Sequence, residues 1–62
     1  MAHTAADVLE VHHHDDRVEE FREVSYTPWS AKGRRGVTVF LSDGSERRFD
    51  DIANTVARRR HS

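Results

Sequence analysis

The stretch from Gly36 to Asp50, GVTVFLSDGSERRFD, restricts the fold more than any other part of the chain. Val37, Val39 and Leu41 alternate with Thr38, Phe40 and Ser42, which is the period of two that a β-strand requires, and the β-branched content supports the same reading. Asp43-Gly44 then marks a hairpin turn. The length of that turn decides which side chains share a face. With a two-residue loop, Val39 would face Arg48, and Phe49 would fall on the side opposite Val37, Val39 and Leu41. With the three-residue loop Ser42-Asp43-Gly44, Gly44 supplies a positive φ, Val37 meets Phe49 and Val39 meets Arg47. The second register gathers Val37, Val39, Leu41 and Phe49 on one apolar face, and a one-residue slip would undo it, so the three-residue loop is expected. Phe40 is then left on the other face beside Glu46 and Arg48.

Beyond Phe49 the period changes. Asp50 or Asp51 can cap a helix, Ile52, Ala53, Val56 and Ala57 make a stripe, and Arg58, Arg59 and Arg60 suit the negative end of the helix dipole. A helix over residues 51 to 60, packed on the Val37/Val39/Leu41 face, is the expectation. An isolated hairpin is rarely stable in water, so a third strand is needed, and FREVSYT, residues 21 to 27, is the best supplier. The periods nearly tie there: Val18, Val24 and Tyr26 share a strand face with Glu20 and Arg22, whereas Val18, Phe21 and Val24 share a helix face. Near the amino terminus, Thr4 and Asp7 resemble a helix cap, with Val8 and Leu9 following; DVLEVHH reads equally as a strand. The fold class expected is α+β: a small three-stranded antiparallel sheet with a carboxy-terminal helix on one face and an irregular or short helical amino-terminal segment. Residues 1 to 62 form one domain, with residues 1 to 16 as an arm and residues 17 to 60 as the folded core.

A chain of 62 residues supports a single small core. It holds no cysteine, which excludes disulfides, thiol chemistry and cysteine-based zinc sites. The opening MAHTAADVLE lacks a basic start and a long apolar run, and no segment is long and apolar enough to span a bilayer, so a soluble cytoplasmic protein without membrane contact is expected. Residues 1 to 26 carry seven acids against two bases; residues 27 to 62 carry eight bases against four acids. Such polarity speaks of electrostatic partners, or of one half neutralising the other within the molecule or across a homodimer.

Catalysis finds little to work with. The three glycines fall at positions 33, 36 and 44 and form no phosphate-binding pattern, and the serines lie beside turn residues, so no enzyme and no cofactor are expected. The run VHHHDD, residues 11 to 16, is the one chemical candidate. On a strand His12 and His14 would point the same way, and on a helix His12 and Asp16 would, giving weak candidates for a metal. The competing reading is a polar linker that charges on acidification.

TPWSAKGRRG, residues 27 to 36, sets Trp29 beside Lys32, Arg34 and Arg35, and reads as a loop of about eight residues bracketed by Pro28, Gly33 and Gly36. With Phe40, Arg47 and Arg48, these residues make up the candidate partner-binding set. The segment Gly36 to Ile52 resembles the aspartate-glycine hairpins of many small β domains, Sm-like proteins among them, although those have more residues between the turn and the following FD. The resemblance implies a hairpin and no function. Two functions fit the pattern. One is a small regulator or inhibitor, of the kind phages and mobile elements carry, that binds a protein through its polarised charge and its aromatic, basic loop. The other is a nucleic-acid-binding accessory protein, with arginines on phosphates and Trp29 or Tyr26 as a stacking surface.

Overall fold

A computed structural model describes residues 3 to 59. Among these residues there are five strands and no helix: β1 (Thr4–His12), β2 (Val18–Ala31), β3 (Arg34–Phe40), β4 (Glu46–Phe49) and β5 (Asn54–Arg58). All neighbours are antiparallel, and the order across the sheet is β4-β3-β2-β1-β5. The first four strands follow one another as a meander, and the fifth returns to the open edge of β1.

The β3–β4 hairpin has the expected register, with Val37 opposite Phe49 and Val39 opposite Arg47. Its loop is Ser42-Asp43-Gly44: the Leu41 amide donates to the Ser45 carbonyl at 2.8 Å, and Gly44 sits at φ 91°. Asp43 fixes the turn, because its Oδ1 accepts from both the Ser45 amide (2.9 Å) and the Ser45 hydroxyl (2.6 Å). Val37 and Val39 are wholly buried and Phe49 nearly so. The third strand also comes from the segment named for it, within the longer β2.

The expected α+β fold with a three-stranded sheet is overturned, since the described residues form an all-β sheet of five strands, and three particulars change with it. The helix over residues 51 to 60 is absent from its described part; Asn54 to Arg58 form β5, paired with β1 from Val8↔Arg58 to His12↔Asn54. Arg60 lies outside the described residues. A helix of about ten residues is marginal in water, whereas strand pairing satisfies the row of amides and carbonyls that β1 presents. Asp51, at φ 57°, turns the chain out of the helical region at the point where a helix would begin. Of the helical stripe only Ile52 is buried, in the β4–β5 link. Secondly, residues 4 to 12 are neither irregular nor helical. They form β1, the strand between β2 and β5, so the segment read as an arm carries Ala6, Leu9 and Val11 of the core. Thirdly, Thr27 to Gly36 is not a long loop. Thr27–Ala31 and Arg34–Gly36 pair to the end, and the connection is the two residues Lys32-Gly33, both at positive φ (54° and 77°). That is the mirror-image turn whose twist matches the strands it joins. Pro28 is tolerated because β1 pairs with β2 only as far as Tyr26, so Pro28 has no amide to contribute where none is needed.

The sheet curls around its own apolar face. Ile52 donates its amide to the Arg35 carbonyl on β3 and Ala53 to the His12 carbonyl on β1, both at 2.9 Å, although β2 separates those strands. Phe21 of β2 and Phe49 of β4 likewise approach to 5.8 Å between ring centres across β3. The bend is visible in β1 and β2. Pairing is interrupted at Asp7 and Glu23, Glu23 adopts φ 53°, and the inward side chains change phase from Ala6 and Val24 to Leu9 and Phe21. The core so enclosed comprises Ala6, Leu9, Val11, Val24, Val37, Val39, Phe49 and Ile52, with Phe21, Tyr26 and Leu41 at its margin.

Candidate functional site

Alternation along the continuously paired residues 25 to 31 of β2, and along β3 and β4, assigns their outward side chains. Ser25, Thr27, Trp29 and Ala31 face out from β2, Arg34, Gly36, Thr38 and Phe40 from β3, and Glu46 and Arg48 from β4. Trp29 is opposite Gly36, and its indole lies directly on the glycine: a Cβ at position 36 would overlap the six-membered ring. Glycine here makes room for a flat ring on the sheet surface. The Arg48 guanidinium stacks on the same indole, 4.6 Å from the ring centre. It is also held loosely by Asp50, at 3.7 Å. The indole Nε1 is shielded from solvent and meets no acceptor, a condition that costs about 1–3 kcal/mol for a buried donor.

At the other end of the same face, Phe40 carries a second ring. His3 stacks on it with centres 4.3 Å apart, and His3 Nδ1 and the Thr27 hydroxyl are hydrogen bonded at 2.7 Å. Gly36 and Phe40 are four residues apart on β3, or about 13 Å. One face of the sheet thus holds two stacked pairs, Trp29–Arg48 and Phe40–His3, with Thr27 and Thr38 between them.

The cations divide into two groups. Arg17, Arg22, Arg47, Arg48 and Arg58 each have a carboxylate within 4.0 Å. Among the described residues, Arg59 just beyond β5 has none, and neither do Lys32, Arg34 and Arg35, on the β2–β3 hairpin next to Trp29. A depression at that place is lined by Trp29, Ala31, Lys32, Arg34, Arg48, Asp50 and Asp51.

Of the residues expected to bind a partner, Trp29, Lys32, Arg34 and Arg48 are therefore brought together, Arg35 points to the adjoining side of the hairpin, and Phe40 joins them on the outer face. Arg47 does not belong with them. It faces inward from β4 and covers the Phe49 and Phe21 rings at 5.2 and 5.9 Å, with Glu19 3.9 Å away. His3 is not among the residues expected to bind a partner; nothing in HTAAD announces that its ring reaches a strand paired on the far side of β2.

The histidine run forms the β1–β2 turn and disperses its side chains. His12 Nε2 is 3.0 Å from Glu10, His14 is 3.3 Å from Asp51, and Asp16 sits at φ 71° in the turn. Among the described residues no group of three or more His, Asp or Glu side chains is arranged to hold a metal. Asp15 organises the turn: the Arg17 amide donates to its Oδ1 at 3.2 Å and the Arg17 Nε to its Oδ2 at 2.7 Å, which holds its carboxyl below the ordinary 3.8.

Among the described residues no helix is long and apolar enough to cross a membrane. The sequence matches no family model, and no curated protein or solved structure matches it either. Nothing in the fold or in these comparisons marks a regulator or an inhibitor, and that expectation is set aside.

Proposed function

We propose that the protein binds single-stranded nucleic acid on the outer face of β2, β3 and β4, without catalysing a reaction on it. The observation that carries this reading is the pair of ring stacks on one sheet face beside Lys32 and Arg34, which have no carboxylate partner among the described residues. Bases stack on aromatic rings and on guanidinium planes alike, and cations beside such a surface take the phosphates. Trp29 with Arg48 would receive one base and Phe40 with His3 another, while Lys32 and Arg34 follow the backbone. The net charge of −1 does not oppose this. Asp15, Asp16, Glu19, Glu20 and Glu23 are gathered on the β1–β2 hairpin, and a polarised molecule orients a polyanion toward its basic end. The reading places the protein in the cytoplasm, where single strands are met.

A fluorescence titration of the sole tryptophan with oligonucleotides tests it. Binding should quench Trp29, and two phosphate contacts to a single strand give a slope of about −1.4 in log Kobs against log[salt]. Arg34→Ala should reduce that slope by about 0.7 and weaken all sequences alike. Absence of binding, or binding indifferent to both salt and Arg34, would overturn the proposal. An acidic protein partner would use the same cations without the rings. Affinity for an acidic peptide that withstands Trp29→Phe and Phe40→Leu, with no affinity for oligonucleotides, would point to it.

A further inference from the structure

A second cleft adjoins the stacking face on the other side of the β2–β3 hairpin. Pro28, Trp29 and Ile52 supply its apolar walls, and Ser30, Arg35, Asn54 and Thr55 its polar groups, around a volume of about 360 Å³. That volume lies at the small end of the range that holds compact organic ligands. The cleft is built from three elements that the fold locks together: the end of β2, the start of β3, and the β4–β5 link with the first residues of β5. The hydrogen bond from the Ile52 amide to the Arg35 carbonyl ties the β4–β5 link to β3. Its chemistry is one-sided. Among the described residues, Arg35 is the one charged side chain in the lining and has no carboxylate partner, whereas the depression on the outer face mixes three cations with Asp50 and Asp51. Asn54 offers a paired donor and acceptor, the arrangement that reads the edge of a heterocyclic base, and Ser30 and Thr55 add hydroxyls. Trp29 belongs to the lining of both depressions.

From this we infer that the cleft is a site for one nucleoside phosphate, with the base between Pro28, Trp29 and Ile52, its edge on Asn54, and the phosphate on Arg35. The inference rests on the proposed reading of the neighbouring face, and it adds a defined position for a single nucleotide. That nucleotide is either free or the phosphorylated end of the strand whose interior lies across the sheet.

The test follows the backbone amides of the full chain by heteronuclear NMR. The four nucleoside monophosphates are added in one series, and oligonucleotides with and without a terminal phosphate in another. Saturable shifts at Ser30, Arg35, Ile52 and Thr55 with a monophosphate identify a free nucleotide as ligand. Shifts there only with the end-phosphorylated strand identify a strand end. Arg35→Ala should weaken either by roughly tenfold, the loss of one charge-assisted contact, and Arg35→Lys should restore part of it. Asn54→Ala should alter the ranking of the bases while leaving Arg35 shifts in place. The inference is overturned if no monophosphate shifts these amides and a terminal phosphate makes no difference to strand binding. It is also overturned if Arg35→Ala binds as tightly as the unchanged chain. Such a failure leaves the Trp29 quenching and the Arg34 salt slope as they were, so it is separable from failure of the outer face.

Discussion

Strand β3 presents different chemistry on its two sides, though both are built from one run of seven residues. Inward, Val37 and Val39 are fully buried against Phe49 and Leu9; outward, Thr38 and Phe40 are half-covered, and Gly36 gives up its side chain so that Trp29 can lie flat. At Val37 and Val39 the inner side gains from excluding water, and its one charged side chain, Arg35, lies at the exposed end of the strand. The outer side keeps aromatic area, hydroxyls and a guanidinium within reach of solvent. The contrast teaches that stability and recognition can be separated to the two faces of one strand, so substitutions on the two faces should fail in different ways.

The largest difference is expected between the two phenylalanines. Phe49→Ala removes a buried ring and should cost about 3 kcal/mol in urea unfolding. That is a large share of what so small a domain holds in reserve. Phe40→Ala should cost about 1 kcal/mol, because its ring is half exposed. Equal losses would break the comparison. Next comes Gly36→Ala, whose Cβ forces the indole off the sheet. A loss of about 2 kcal/mol is expected, together with red-shifted Trp29 emission and weaker oligonucleotide binding. Gly44→Ala is the control for this effect. Its Cβ would meet nothing, so only the φ of 91° opposes it, and about 1 kcal/mol should be lost with Trp29 emission unchanged. Arg48→Ala should cost less again, under about 1 kcal/mol, while changing the quenching by added oligonucleotide.

The smallest effect concerns pH. The Ser45 hydroxyl and amide hold the Asp43 carboxyl below its ordinary 3.8, so the ionised form is favoured by folding. Its contribution to stability is present above pH 3.8 and is lost as the pH falls through the lowered value. Asp43→Ala should therefore flatten the acid limb of a thermal melting series and leave the neutral region, apart from a constant offset, parallel to the unchanged protein.

The parts that the sequence disclosed were those governed by neighbours in the chain. In the β3–β4 hairpin, alternation, an aspartate-glycine turn and the demand that Phe49 join the valines are all local, and together they select one register. The β2–β3 turn was also local in origin, but Lys32-Gly33 was hidden by Pro28 and Gly36, which suggested a longer loop. The near tie of periods in β2 has a physical source. The change of phase at Glu23 puts Phe21 and Val24 on the same side three residues apart, so a kinked strand imitates a helix. The carboxy-terminal segment was misread because its fate depends on β1, whose open edge no local pattern reveals. The site shows the same division. Trp29 and the hairpin cations could be named from their composition, whereas the stack of Arg48 on Trp29, the approach of His3 to Phe40 and the inward turn of Arg47 depend on strand pairing.

The pairing of β1 with β5 has a consequence for the growing chain. As the protein is synthesised β1 emerges first, and β2 can cover one of its edges as soon as it follows. The other edge must wait for residues 54 to 58. Until then it is a strand template open to any neighbouring chain. Asp7 and Glu10, set among the apolar residues of β1, place negative charge on that waiting edge, and repulsion between nascent copies protects it until Arg58 arrives to meet Glu10 at 3.9 Å.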